Sequence, residues 1–128
     1  MAGEADFESR IPAESLEVLL DLGAELGFDP TSSAEMESYL VELLSQSPGP
    51  GTSLSEWLRP RIETAFRSIA GRPEWIQNPD WQVGSGRPMW FIGQIGVPAD
   101  AGLFHDEAMF YVFWDPESGV VRSVVQVS

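Results

Sequence analysis

The sequence has no cysteine, no lysine and a single histidine. It also has no apolar run near the roughly 18–20 residues that cross a bilayer. Without cysteine there are no disulfides and no thiolate metal sites. With one histidine, His105, acid–base or metal chemistry has to lean on carboxylates. The first ten residues are acidic and polar and lack the basic start and apolar centre of a signal peptide, so a cytoplasmic protein is expected.

Basic charge is scarce too. Twenty acidic residues face seven arginines, a net charge of −13. Such a charge repels nucleic-acid phosphates and anionic membranes, and it favours a basic partner or simply keeps the protein in solution. Residues 1–70 hold 13 of the acids and four of the arginines, so this half is the stronger electrostatic face.

Three helices are expected in residues 1–70. The first starts at Pro12, favoured at a first helical position, and ends at Gly27. Leu16, Leu19, Leu20 and Leu26 line one side, widened by Val18 and Leu22. In the second, Ser32 and Glu35 have capping-box spacing, and Met36, Tyr39, Leu40, Leu43 and Leu44 make the apolar stripe. It stops at the Pro-Gly-Pro-Gly of 48–51. In the third, Ser53 and Glu56 repeat the box. The stripe runs from Leu54 to Ile69, with Gly71 as terminator and Pro60 marking either a kink or a break. Arg59, Glu63 and Arg67, four apart, are spaced for a ladder of ion pairs.

Beyond Gly71 the pattern changes. Residues 72–88 are rich in Pro, Gly and Trp without a helical period, and predict an ordered irregular segment, because tryptophans are costly to leave in water. Residues 89–97, 108–114 and 120–127 read as strands, with glycines 93 and 96 pointing to a bulge or a close backbone approach and 115–119 forming a hairpin turn. The fold class is α+β, in one domain: about three N-terminal helices (1–70) packed against a small C-terminal antiparallel β-meander that follows the Trp-rich connection (71–128).

Gly71-Arg72-Pro73-Glu74-Trp75-Ile76-Gln77, followed by Pro88-Met89-Trp90-Phe91-Ile92-Gly93-Gln94-Ile95 and the aromatic run Met109-Phe110-Tyr111-Val112-Phe113, resembles the bacterial YwqG-like family. Its members show Gly-x-Pro-x-Trp-x-Gln and then Pro-Met-x-Phe-x-x-Gln-Ile. The resemblance covers roughly residues 71–114. It implies a β-rich C-terminal half and no particular activity, because the family has no settled biochemistry. Typical members are about twice as long, and some carry cysteines just before the Pro-Met strand, where this chain has Val83-Gly84-Ser85-Gly86-Arg87.

Candidate chemistry is sparse. His105, Asp106 and Glu107 are adjacent, so they cannot converge on one side of a strand, and His105 is expected to bond local backbone. Gly84-Ser85-Gly86 reads as a turn, neither a nucleophile elbow nor a phosphate loop. No catalytic, cofactor or metal residue is expected. The binding candidates are Glu35, Glu37 and Glu42 on the second helix, and Trp75, Gln77, Trp81 and Gln94 in the connection and first strand. The amides of Gln77 and Gln94 read first as structural ties. Of Trp75, Trp81, Trp90 and Trp114, one or two are expected on the surface.

The sequence therefore favours a non-enzymatic acidic protein-binding domain with a basic protein partner, such as an inhibitor or immunity protein for a nuclease toxin. The alternative is a ligand-binding or enzymatic pocket between helices and sheet. The oligomeric state is left open.

Overall fold

The computed structural model describes residues 10–49, 53–98 and 107–128. Three helices come first: α1 (Ala13–Leu26), α2 (Ala34–Leu44) and α3 (Leu54–Ala65). A two-stranded hairpin follows, β1 (Val83–Gly84) and β2 (Arg87–Pro88). A three-stranded antiparallel meander in the order β3-β4-β5 completes the fold, with β3 Trp90–Val97, β4 Ala108–Trp114 and β5 Val121–Val127. The α+β layout expected from the sequence is the one observed. The expected proline–glycine stop after α2 falls partly, and His105 and Asp106 wholly, outside the described residues.

Helix α1 follows Pro12 and buries Leu19, Leu22, Gly23 and Leu26. Leu20, expected on this face, is 44% exposed, because one residue further on turns a side chain about 100° around the helix. Gly27 closes the helix at φ 95°. The Gly23 carbonyl accepts from both Gly27 and Phe28 N–H, at 2.7 and 3.1 Å. This turn brings the Phe28 carbonyl so near that a Cβ on residue 23 would lie 2.3 Å from its oxygen, and only glycine fits.

Helix α2 starts one residue later than the sequence pattern placed it. Ser33, not Ser32, is the cap, its Oγ accepting from Met36 N–H at 3.1 Å. The residue that receives the cap is then Met36, so Glu35 is not placed to complete a capping box. The Ser32 Oγ is buried without a hydrogen-bond partner among the described residues. Ser53 caps α3 as expected.

Helix α3 runs through Pro60 unbroken and ends at Ala65, well short of the expected Gly71. The next residues change structure. Arg67 C=O accepts from Phe91 N–H at 2.8 Å and Ile69 N–H donates to Phe91 C=O at 2.9 Å, a parallel bridge that widens the sheet at β3. The expected i,i+4 ladder does not form. Arg59 instead takes both oxygens of Glu25 on α1, and Arg67 lies 4.6 Å over the Trp90 ring.

The register of β3 on β4 shifts between Phe91 and Gly93, so Ile92 is the bulged residue. Because side chains alternate, one extra residue reverses the facing of everything after it. Phe91 and Gln94 therefore point to the same side, with Met109, Tyr111, Phe113, Val124 and Gln126 from β4 and β5. This inner side meets the helices, and Phe91, Tyr111 and Phe113 join the core around Trp81. The other side carries Trp90, Ile95, Phe110, Val112, Trp114, Val121, Ser123 and Val125, none of them in the core cluster.

Candidate functional site

The Trp-rich segment decides where a site can be. It lies along the inner face of the sheet, and three polar side chains hold it there, one from each strand. Gln94 Oε1 accepts from Glu74 N–H at 2.7 Å. Tyr111 Oη donates to Glu74 C=O at 2.8 Å and accepts from Ile76 N–H at 3.0 Å. Gln126 Oε1 accepts from the N–H groups of Ile76 and Gln77 at 3.0 and 2.8 Å, while its Nε2 donates to Asn78 C=O at 2.8 Å. A chain without regular structure has its backbone groups paired by side chains instead, as burial requires. Burial raises the Tyr111 hydroxyl pKa above its ordinary value, and the Ile76 N–H opposes that.

These bonds give four of the binding candidates structural contacts. Gln94 and Gln77 are ties, Gln77 Nε2 donating to Val127 C=O at 2.7 Å. Trp75 donates to Gly27 C=O at 2.7 Å and its ring sits 4.3 Å from that of Tyr111. Trp81 is 1% exposed, donates to Met89 C=O at 2.8 Å and packs in the core. Trp75, Trp90 and Trp114 are half-buried. Glu37 belongs to another contact, its carboxylate taking the backbone N–H of Arg10 at 3.1 Å and its Nε at 3.0 Å.

Glu35 and Glu42 fall together. Both line a cleft of about 480 Å³ between α2 (Ala34, Glu35, Ser38, Tyr39, Glu42) and the β1–β2 hairpin (Val83, Ser85, Gly86). Next to it is a larger cavity of about 780 Å³ that shares Tyr39, Glu42 and Gly86. It adds Leu43 and Gln46 from α2, Pro60, Arg61, Thr64 and Ala65 from α3, and Arg87, Pro88, Trp90 and Pro116. A smaller pocket of about 290 Å³ continues at the other end, sharing Glu35 and Val83 and adding Asp80 and Arg122. A groove thus follows α2, with Glu35, Asp80 and Arg122 at one end, Glu42 in the middle, and a proline- and aromatic-lined floor with Arg61 and Arg87 at the other. Neither Glu35 nor Glu42 has an ion-pair partner among the described residues.

The hairpin wall is held by Asp115. Ser85 turns at φ 53° and Gly86 at φ 76°, the two left-handed residues of a tight hairpin. The Ser85 hydroxyl donates to Asp115 Oδ2 at 2.5 Å, Ser118 Oγ to the same oxygen at 2.7 Å, and Glu117 N–H to Oδ1 at 3.0 Å. The serine hydroxyls, Ser85 first, hold the Asp115 carboxyl below its ordinary range, with backbone donors adding to them against burial. Asp115 thereby ties the small hairpin to the β4–β5 turn. Burial raises the Tyr39 hydroxyl pKa on the opposite wall, with Arg87 pulling the other way.

Sequence reading missed Tyr111, Gln126 and Asp115. Gln126 left a signal, because it shares the inward parity of Val124 in a valine-rich strand, where a polar residue needs partners. Among the described residues no group of three acidic or histidine side chains is placed to hold a metal ion, and no helix is long and apolar enough to cross a membrane. Comparison with family models, curated proteins and solved structures found no match to this chain.

Proposed function

We propose that this chain is a non-enzymatic protein-binding domain of the cytoplasm that takes a basic partner along the α2 groove, in the manner of an inhibitor or immunity protein. The observation that carries the reading is the pair of unpaired carboxylates, Glu35 and Glu42, beside the apolar floor formed by Tyr39, Pro60 and Trp90. A cationic side chain seated between Glu35 and Glu42 meets two carboxylates outside the ion pairs of the described residues, with Arg61, Arg87 and Arg122 further along the groove. An apolar neighbour on the same segment meets Trp90. Charge complementarity of this kind speeds encounter and discriminates among partners. The likeness to YwqG-like proteins bears on architecture, because its Gln77 and Gln94 make fold contacts.

The test is retention of proteins from the host lysate by immobilised wild type and by Glu35→Lys/Glu42→Lys, at low and high salt. A basic protein held at low salt, released at high salt and lost in the double variant supports the reading. The same proteins retained by both forms overturn it. A second reading, a small-molecule site, rests on the size of the 780 Å³ cavity, which falls within the ordinary range for ligand pockets. It predicts thermal stabilisation by a small molecule that is unaffected in Glu35→Lys, because Glu35 lies outside that cavity.

A further inference from the structure

The meander has two edges, and they are finished differently. At β3 residues 67–69 bridge to Phe91, and the bulge at Ile92 bends the strand. At β5 the edge is open. Asp115 N–H donates to Val120 C=O and Ser128 N–H to Glu107 C=O, so the even-numbered residues of β5 are the ones bonded to β4. Alternation then turns the N–H and C=O groups of Val121, Ser123 and Val125 outwards. Gln77 Nε2 covers the next outward carbonyl, that of Val127. The outward groups of Val121, Ser123 and Val125 have no hydrogen-bond partner among the described residues. All three residues are exposed, and β5 has none of the prolines, bulges or lysines that blunt such edges. Its one charge, Arg122, is turned aside to Gln82 Oε1 at 3.1 Å.

A cavity of about 480 Å³ opens at this edge, lined by Val124, Val125 and Gln126 together with Asp29, Ser32 and Asp80. Val124 and Gln126 belong to the inner face, so the cavity lies on that side of the edge. Neither aspartate is in an ion pair among the described residues. Asp29 Oδ1 accepts from Thr31 N–H and Oγ1, and the Ser32 Oγ is buried without a partner.

We infer that β5 takes an extended segment of a partner protein as a fourth strand, with a lysine or arginine of that segment entering the cavity beside Asp29 and Asp80. In strand addition the backbone bonds supply affinity and the pockets for alternate side chains supply choice. Residues paired across strands share a face, so a side chain opposite Val124 points inwards and meets the two carboxylates. Two positions along, the side chain opposite Arg122 meets a guanidinium, which suits an acid. The residues opposite Val121, Ser123 and Val125 join the outer face, where β-branched side chains fit. A second copy does not suit the edge. Two-fold pairing of β5 with itself brings both cavities under the joined edge, aspartates towards aspartates, in a chain of net charge −13. This contact lies on β5 and stands whether or not the α2 groove is occupied.

The test is amide exchange of the isotope-labelled whole chain titrated with the capped peptide Thr-Val-Lys-Val-Glu-Val-Thr. In antiparallel pairing its lysine lies opposite Val124 and its glutamate opposite Arg122. Exchange at Val121, Ser123 and Val125 should slow about tenfold or more, while Arg122 and Val124, already bonded to β4, stay unchanged. Norleucine in place of the lysine should weaken binding about tenfold, as should Asp29→Asn/Asp80→Asn, which keeps an acceptor for Thr31. Ser123→Pro removes the central outward donor and leaves the bonds to β4, so it should keep the wild-type circular dichroism and abolish binding. No slowing at the three outward amides at any peptide concentration overturns the inference. So does equal affinity for the lysine and norleucine peptides, or wild-type affinity in a folded Ser123→Pro. Slowing at these amides with rising protein concentration alone assigns the edge to a second copy and overturns it too.

Discussion

The two faces of the meander are built from the same strands and are opposite in kind. On the inner face each polar side chain is matched: Gln94, Tyr111 and Gln126 are bonded to the backbone of the Trp-rich segment, among Phe91 and Phe113. On the outer face Ile95, Val121 and Val125 have water where packing partners would be. Apolarity alone therefore does not mark the core of this protein. The inner face is fixed by a few polar residues bonded to backbone, while Ile95, Val121 and Val125 on the outer face are apolar and exposed.

Substitutions on each face put a scale on that contrast. The largest effect is expected for Trp81→Ala. It empties a fully buried site among Phe66, Phe91 and Phe113 and leaves Met89 C=O without its donor, a loss of about 3–5 kcal/mol visible in urea unfolding. Gln126→Leu comes next. It keeps the volume but strands the Gln77 N–H and the Asn78 carbonyl and leaves Ile76 N–H to Tyr111 alone, at about 2–3 kcal/mol. Amide exchange should quicken first at Gln77, and unchanged exchange there would remove Gln126 as the clasp.

Asp115 gives a smaller effect that depends on pH. Its folded pKa is lowered, so its contribution is fully present above the ordinary aspartate pKa. It is lost as pH falls through that value towards the lowered one. Melting temperature should therefore drop across the acid range more steeply for wild type than for Asp115→Asn, and parallel curves would contradict the assignment. The smallest effect belongs to the outer face, where Ile95→Thr should shift monomer stability by less than about 0.5 kcal/mol in the same urea experiment. A larger loss at low protein concentration would mean that Ile95 packs within the monomer.

Much of the fold was legible. Apolar stripes and serine caps placed α2 and α3, and β-branched and aromatic runs placed β3 to β5 within a residue of their observed ends. The errors have physical causes. Ser32 and Ser33 are both able to cap, and the backbone decides between them. Ile69 continues the helical spacing of α3, yet the open edge of β3 at Phe91 captures residues 67–69. The glycines of β3 signalled a bulge or a close backbone approach, but not the consequence of a bulge for phase. Read as plain alternation from Phe91, Ile95 would face inward and Gln94 outward, and the bulge at Ile92 exchanges them. The site was less legible, because Glu35 and Glu42 share a groove with Tyr39 and Trp90 only once the hairpin lies against α2, a contact between residues some 40 positions apart. Glu37 was set apart from its neighbours by its contact with Arg10.

The clasp by Gln126 also bears on how the molecule is made. Synthesis releases the chain from its N-terminus at about 5–20 residues per second. The Trp-rich segment emerges some fifty residues ahead of the side chain that pairs its backbone at Ile76, Gln77 and Asn78. For several seconds on the ribosome, the helices and tryptophans are present without the strand that seats them. Trp75 and Trp81 are then exposed to the chaperones and proteases of the cell, and native structure is completed only after Gln126 clears the exit tunnel.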